Sequence, residues 1–127
     1  MKTLKEIALK YTPNIPVKFI SKGLCYACED HIEVYKPVSR AKLFNYLHEC
    51  AHHVLKHHKR SEAVYEEEYE ADGYARRVFR GEGLKVPPKT DKIQRAYVGE
   101  SIYNAQAHGA NRINPNAYKY AFNVDFS

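Results

Sequence analysis

The chain has 127 residues, 44% apolar and 28% charged, which suits one soluble domain spanning 1–127 rather than a disordered, fibrous or membrane-spanning protein. No run of about 18 apolar residues is present, so no transmembrane helix is expected; the N-terminal MKTLKEIALKY, charged through its apolar part, does not read as a signal peptide. The net charge is +5, and the whole excess falls in residues 76–127, which carry 9 Lys/Arg against 4 Asp/Glu, while residues 1–75 carry 11 of each.

From the N-terminus, Thr3-Leu4-Lys5-Glu6 fits a capping box, and Leu4, Ile7, Ala8 and Tyr11 follow at helical spacing, which predicts a first helix over residues 4–10. Pro13 and Pro16 stop it. Residues 17–20, 24–28 and 32–35 are short β-prone runs separated by turn-like Ser21-Lys22-Gly23 and Glu29-Asp30-His31, a pattern that reads as a small antiparallel meander. Pro37 breaks the strands, and Ser39 can cap a long helix to about residue 58, whose apolar stripe is Leu43, Phe44, Leu47, Ala51, Val54 and Leu55. A third helix is expected over residues 61–80, ended by Gly81, followed by the linker GEGLKVPPK. Thr90 is positioned to cap a fourth helix to His108, with Gly109 after it, and Asn114-Pro115 opens a short last helix. The fold class is therefore α+β: a small meander packed on a long helix and the helices after it.

Five of the seven histidines crowd into residues 48–58. His48 and His52, four apart on a helix, project from one side, so both imidazoles can reach one Zn²⁺. Glu49 beside the first completes His48-Glu49-x-x-His52, the pattern in which the carboxylate is no ligand but takes a proton from water at the metal's open position. Such a zinc needs a third protein ligand. On the next helix the apolar stripe is Val64, Ala71, Ala75, Val78 and Phe79, and Glu68 is the acid that shares it. Glu66, Glu67 and Glu70 read as solvated. Asp72, one turn after Glu68, can accept a hydrogen bond from the far nitrogen of a ligating histidine.

His48-Glu49-Cys50-Ala51-His52 followed by Glu68-Tyr69-Glu70-Ala71-Asp72-Gly73-Tyr74-Ala75 resembles the gluzincin arrangement, and most of all the ImmA/IrrE-type metallopeptidases, whose second motif runs Glu-x-x-Ala-(Asn or Asp)-x-aromatic-Ala. The resemblance covers about residues 15–80, leaving residues 90–127 as a helical C-terminal part. It implies a zinc-dependent endopeptidase acting on a protein substrate, of a kind many phages and mobile elements carry.

Other readings compete. Cys25-Tyr26-Ala27-Cys28 could join His48 and His52 in a Cys₂His₂ structural site, but the gap is longer than a finger uses, and Glu49 and Glu68 would have no role. Three cysteines without a leader instead suggest a reducing cytoplasm. His53, His57 and His58 fall off the ligand face and read as solvated. Among the eleven tyrosines, Tyr103 is a candidate donor to the oxyanion of a tetrahedral intermediate, as is His108. The basic C-terminal part, 76–127, is what nucleic acid or an acidic partner would contact, and a zinc-stabilised binding protein acting through it is the alternative to an enzyme.

Overall fold

The computed structural model describes residues 2–57 and 63–123. Its elements run α1 (Leu4–Tyr11), β1 (Val17–Phe19), β2 (Tyr26–Ala27), β3 (Ile32–Val34), α2 (Arg40–Val54), α3 (Val64–Gly81), α4 (Pro88–Ala107) and α5 (Pro115–Phe122). The class is α+β, as the residue patterns predict. The capping box is in place: the Thr3 hydroxyl accepts from the Glu6 backbone N–H at 3.1 Å, and the Glu6 carboxylate accepts from the Thr3 N–H at 3.0 Å.

The sheet is not the antiparallel meander expected. Its order is β1-β3-β2, with β1 parallel to β3 (Val17 opposite Ile32) and β2 antiparallel to it (Tyr26 opposite Glu33). Meander logic pairs neighbours in sequence, but burial decides which strand goes in the middle. Ile32 and Val34 of β3 are fully buried, whereas β1 and β2 carry no fully buried residue, so β3 takes the centre. The connection from β1 to β2 turns at Gly23, which has φ +93, and the Tyr35 hydroxyl donates to the Gly23 carbonyl.

Helix ends depart from the pattern in three places. α2 starts as expected, with the Ser39 hydroxyl accepting from the Lys42 N–H at 3.2 Å, but it stops at Val54, and Lys56 adopts a left-handed φ of 57. Residue 58 and the expected α3 start at Ser61 lie outside the described residues. After α3 the left-handed residue is Gly83, φ +72, and the Leu84 N–H bonds back to the Phe79 carbonyl at 2.8 Å in a Schellman closure. α4 begins at Pro88 rather than behind Thr90: a proline's missing N–H costs nothing at the first helical position, so Thr90 falls inside the first turn and is buried. α5 is capped as expected, by the Asn114 side chain.

Two cores result. In the larger, Leu43, Phe44 and Leu47 of α2 meet Ala75, Val78 and Phe79 of α3 over the sheet and α1, and the Phe44 and Phe79 rings pack edge-on at 5.6 Å. The smaller joins Tyr65 to Val98 and Ile102 of α4 and Ala117 of α5. The Phe44–Phe79 contact fixes α2 against α3, and those two helices carry the site.

Candidate active site

α2 presents His48, Glu49 and His52, and α3 presents Glu68 and Asp72 opposite them. His48 Nε2 lies 2.6 Å from Glu68 Oε2, and His52 Nε2 lies 3.6 Å from Glu68 Oε1. One ligand atom from each of His48, His52 and Glu68 falls within 4.8 Å of the others, a set that could hold a metal ion. The two imidazoles stand edge to face with centroids 4.9 Å apart.

The far nitrogens of both rings are engaged. His48 Nδ1–H donates to Asp72 Oδ1 at 2.6 Å, the contact the sequence spacing anticipated. Burial opposes a charged His48, but the carboxylates of Asp72 and Glu68 outweigh it and raise its pKa well above the usual value. Burial likewise pushes Glu68 up, and the two histidines outweigh it and hold the carboxyl well below its usual range. With Nδ1–H committed to Asp72, Nε2 of His48 is the titrating nitrogen: it carries the proton that pairs it with Glu68, and losing that proton frees a lone pair for a metal.

His52 is oriented by a residue expected in solvent. His57 is 4% exposed; its Nδ1 lies 2.8 Å from His52 Nδ1, and its Nε2 lies 2.8 Å from Glu70 Oε1. Burial lowers the His57 pKa against the opposing pull of Glu70, so the ring is neutral. A carboxylate only accepts, so His57 Nε2–H donates to Glu70 and its Nδ1 is left to accept. His52 must then donate from Nδ1, which turns its Nε2 toward Glu68. The solvated reading of His57 fails because it continues α2 as an ideal helix; the chain instead turns at Leu55 and Lys56 and folds residue 57 back under residue 52, where it meets the partly exposed Glu70.

Glu49 is buried beside these groups, with Oε1 4.0 Å from His52 Nε2. Burial raises its pKa, and the two histidines only partly offset that. The cluster opens into a cleft of about 570 Å³, walled on one side by residues 23–28 around the edge strand β2 and on the other by Ile93, Gln94 and Tyr97 of α4. Gln94 Nε2 donates to Asn45 Oδ1 at 3.0 Å and so ties α4 to α2 at the cleft's rim. Glu67 and His53, expected in solvent, also line the cleft.

Cys25 and Cys28 face the same cleft, yet no cysteine sulfur joins the ligand cluster among the described residues. Burial pushes the Cys25 thiol up and drives Cys50 to about 12, which disfavours the thiolate that metal binding needs. Among the described residues the converging set is His48, His52 and Glu68, not the four residues of a finger. The proposed oxyanion donors are also elsewhere: Tyr103 is 61% exposed with its ring against Phe122, and His108 Nδ1 bonds the Asn104 carbonyl. Three tyrosines line the cleft; the hydroxyls of Tyr26 and Tyr35 donate to Glu33 and to the Gly23 carbonyl, and the third, from α4, is Tyr97. Its spacing from Ile93 and Gln94 marks one helix face, but nothing in the sequence says that this face looks across at α2.

The basic excess is partly internal. Arg76 pairs with Asp91 at 2.7 Å, bonds the Tyr120 hydroxyl at 3.1 Å and lies over the rings of Phe44 and Tyr120. Arg95 meets the same Asp91 at 3.0 Å and the face of Tyr120 at 4.6 Å. These two cations build the fold rather than a docking face.

A buried acid and paired imidazoles beside an open cleft suit a hydrolase of peptide bonds, and comparison with known families agrees. The family model of Peptidase U49 matches residues 17–106, from β1 into α4, so the chain belongs to the Peptidase U49 family and is a peptidase with a protein substrate. No curated protein and no solved structure matches it. No described helix is long and apolar enough to cross a membrane.

Proposed function

We propose that the chain is a zinc-dependent endopeptidase in which His48, His52 and Glu68 hold the metal, Asp72 orients His48 and Glu49 is the general base. The observation that carries this is the convergence of three ligand atoms within 4.8 Å, with the far nitrogen of each histidine committed to a partner. Two imidazoles and one carboxylate form the donor set of catalytic zinc, which leaves a position open. When bound there, zinc supplies Lewis-acid chemistry, acidifying water and polarising a carbonyl.

The chain's own residues supply the rest. A peptide lying in the cleft between β2 and α4 passes Glu49. Glu49 accepts a proton from the attacking water, and burial, which raises its pKa, makes it a better acceptor. The same carboxyl then delivers the proton to the leaving amine. Tyr97, across the cleft, donates a hydrogen bond from its hydroxyl to the carbonyl oxygen as charge builds on it. The motif from Glu68 to Ala75 supports a place near the ImmA/IrrE-type enzymes, and its three free cysteines suit the cytoplasm.

Glu49→Gln tests the reading. It should keep zinc and fold but lower peptide cleavage by about 10²–10⁴-fold, the usual cost of a lost general base. A zinc-stabilised binder would be indifferent to it, so full biological effect in Glu49→Gln would sink the peptidase mechanism.

A further inference from the structure

We infer that Tyr120, on the C-terminal helix α5, is a positioning residue of the metal centre: its hydroxyl holds the second oxygen of Asp72, the carboxylate that orients His48. The inference rests on the metal-site reading above.

Asp72 is fully buried, and both of its oxygens are used. Oδ1 accepts from His48 Nδ1–H at 2.6 Å, and Oδ2 accepts from the Tyr120 hydroxyl at 2.7 Å. A carboxylate held at one oxygen can swing about its Cβ–Cγ bond; held at both, it fixes the imidazole plane opposite. The Tyr120 oxygen is itself located, because it accepts from Arg76 Nε at 3.1 Å. The guanidinium groups of Arg76 and Arg95 lie 4.9 and 4.6 Å from the centre of its ring. Arg95 Nη1 also donates to the Tyr120 backbone carbonyl at 2.8 Å, and Asp91 binds both arginines. The ring therefore has little freedom, and its hydroxyl points at one acceptor.

Residue 120 lies outside the region 17–106 that the family model matches. The C-terminal helix α5 thus supplies one link, Tyr120, of a chain of contacts, Arg76–Tyr120–Asp72–His48.

The test is zinc affinity, by chelator competition, in the full chain and in Tyr120→Phe, which keeps the ring against the two arginines and removes only the hydroxyl. Losing a direct partner of a metal-bound histidine usually costs about 10–100-fold in affinity, so losing a brace one bond further out should cost about 3–10-fold. Phe122→Leu loosens the packing of α5 without touching the hydroxyl, and it should leave the affinity unchanged. In an Asp72→Asn background, Tyr120→Phe should cost nothing further. The Nδ1–H proton resonance of His48 in the zinc-loaded protein should move in Tyr120→Phe and not in Phe122→Leu. Wild-type affinity in Tyr120→Phe, or an equal loss in Phe122→Leu, overturns the inference while leaving the metal site standing. A wild-type chain that binds no zinc overturns the metal reading and this inference with it.

Discussion

Tyr97 is the side chain whose chemistry the cleft leaves most exposed to test. The Glu68 carboxylate, with burial and Glu49 behind it, pushes the Tyr97 hydroxyl above its usual pKa, so it stays protonated and able to donate. A donor aimed at charge that appears only in the transition state accelerates the chemical step without tightening ground-state binding. Tyr97→Phe should therefore lower kcat by about 10²–10³-fold with KM and zinc content little changed. Tyr103→Phe should have no effect, since that ring packs on Phe122 outside the cleft. Steady-state kinetics on one peptide decides it: an unchanged kcat in Tyr97→Phe would remove the residue from the mechanism. Glu68 and Glu70 differ at the same scale. Glu68 meets both histidines of the cluster, while Glu70 meets His57, outside the ligand set. Glu68→Gln should lose most bound zinc and Glu70→Gln should keep it, because an amide oxygen can still accept from His57; equal zinc content would reject the ligand assignment.

At the level of elements, the site depends on the seam between α2 and α3. His48 and Glu68 come from different helices, and what sets their spacing is the apolar seam in which Phe44, about one turn from His48, meets Phe79, about three turns from Glu68. Both rings are fully or almost fully buried. Phe79→Ala should cost about 3–5 kcal/mol, a cavity-forming truncation in a stability of about 5–15 kcal/mol, and zinc affinity should fall with it. Urea unfolding measures the first quantity; a loss under about 1 kcal/mol would show that the seam is held elsewhere. This contact was partly legible beforehand. The stripe of α2 named Phe44, and that of α3 named Phe79, because helical periodicity reports which face is buried. Periodicity does not report which two faces meet. It also misplaced Val64, which is exposed, and passed over Tyr65, which is buried.

Across the whole molecule, α4 and α5 are joined to α3 by one ionic centre, Asp91 between Arg76 and Arg95. Burial pushes the Asp91 carboxyl up, but the two arginines outweigh it and hold the pKa below its usual value. A carboxyl depressed in the folded state adds stability that is complete above its unfolded pKa, about 3.9, and is lost as pH falls through the folded value. The wild-type chain should thus lose stability on acidification below about pH 4, and Asp91→Asn should be weaker at neutral pH and lose less over the same range. Parallel stability curves for the two proteins, measured by denaturant unfolding at several pH values, would exclude the pair as a source of acid sensitivity.

Whatever can be written as a period or a spacing was legible along the chain. His48, Glu49 and His52 share a helix turn, Glu68 and Asp72 share another, and the caps at Thr3, Ser39 and Asn114 are set by side chains bonding to backbone a few residues away. All of these are local, and the backbone geometry of a helix is the same wherever the helix lies. Tertiary structure decided the rest. The order β1-β3-β2 follows from which strand can be fully buried, a property of the packed core. His57 reaches His52 only because α2 ends four residues short, and Tyr97 and Tyr120 reach the site only because α4 and α5 fold back over α3. Those contacts join residues up to 72 apart in sequence, as with Tyr120 and His48 through Asp72. No pattern along the chain encodes such a distance, since it is set by how whole helices pack.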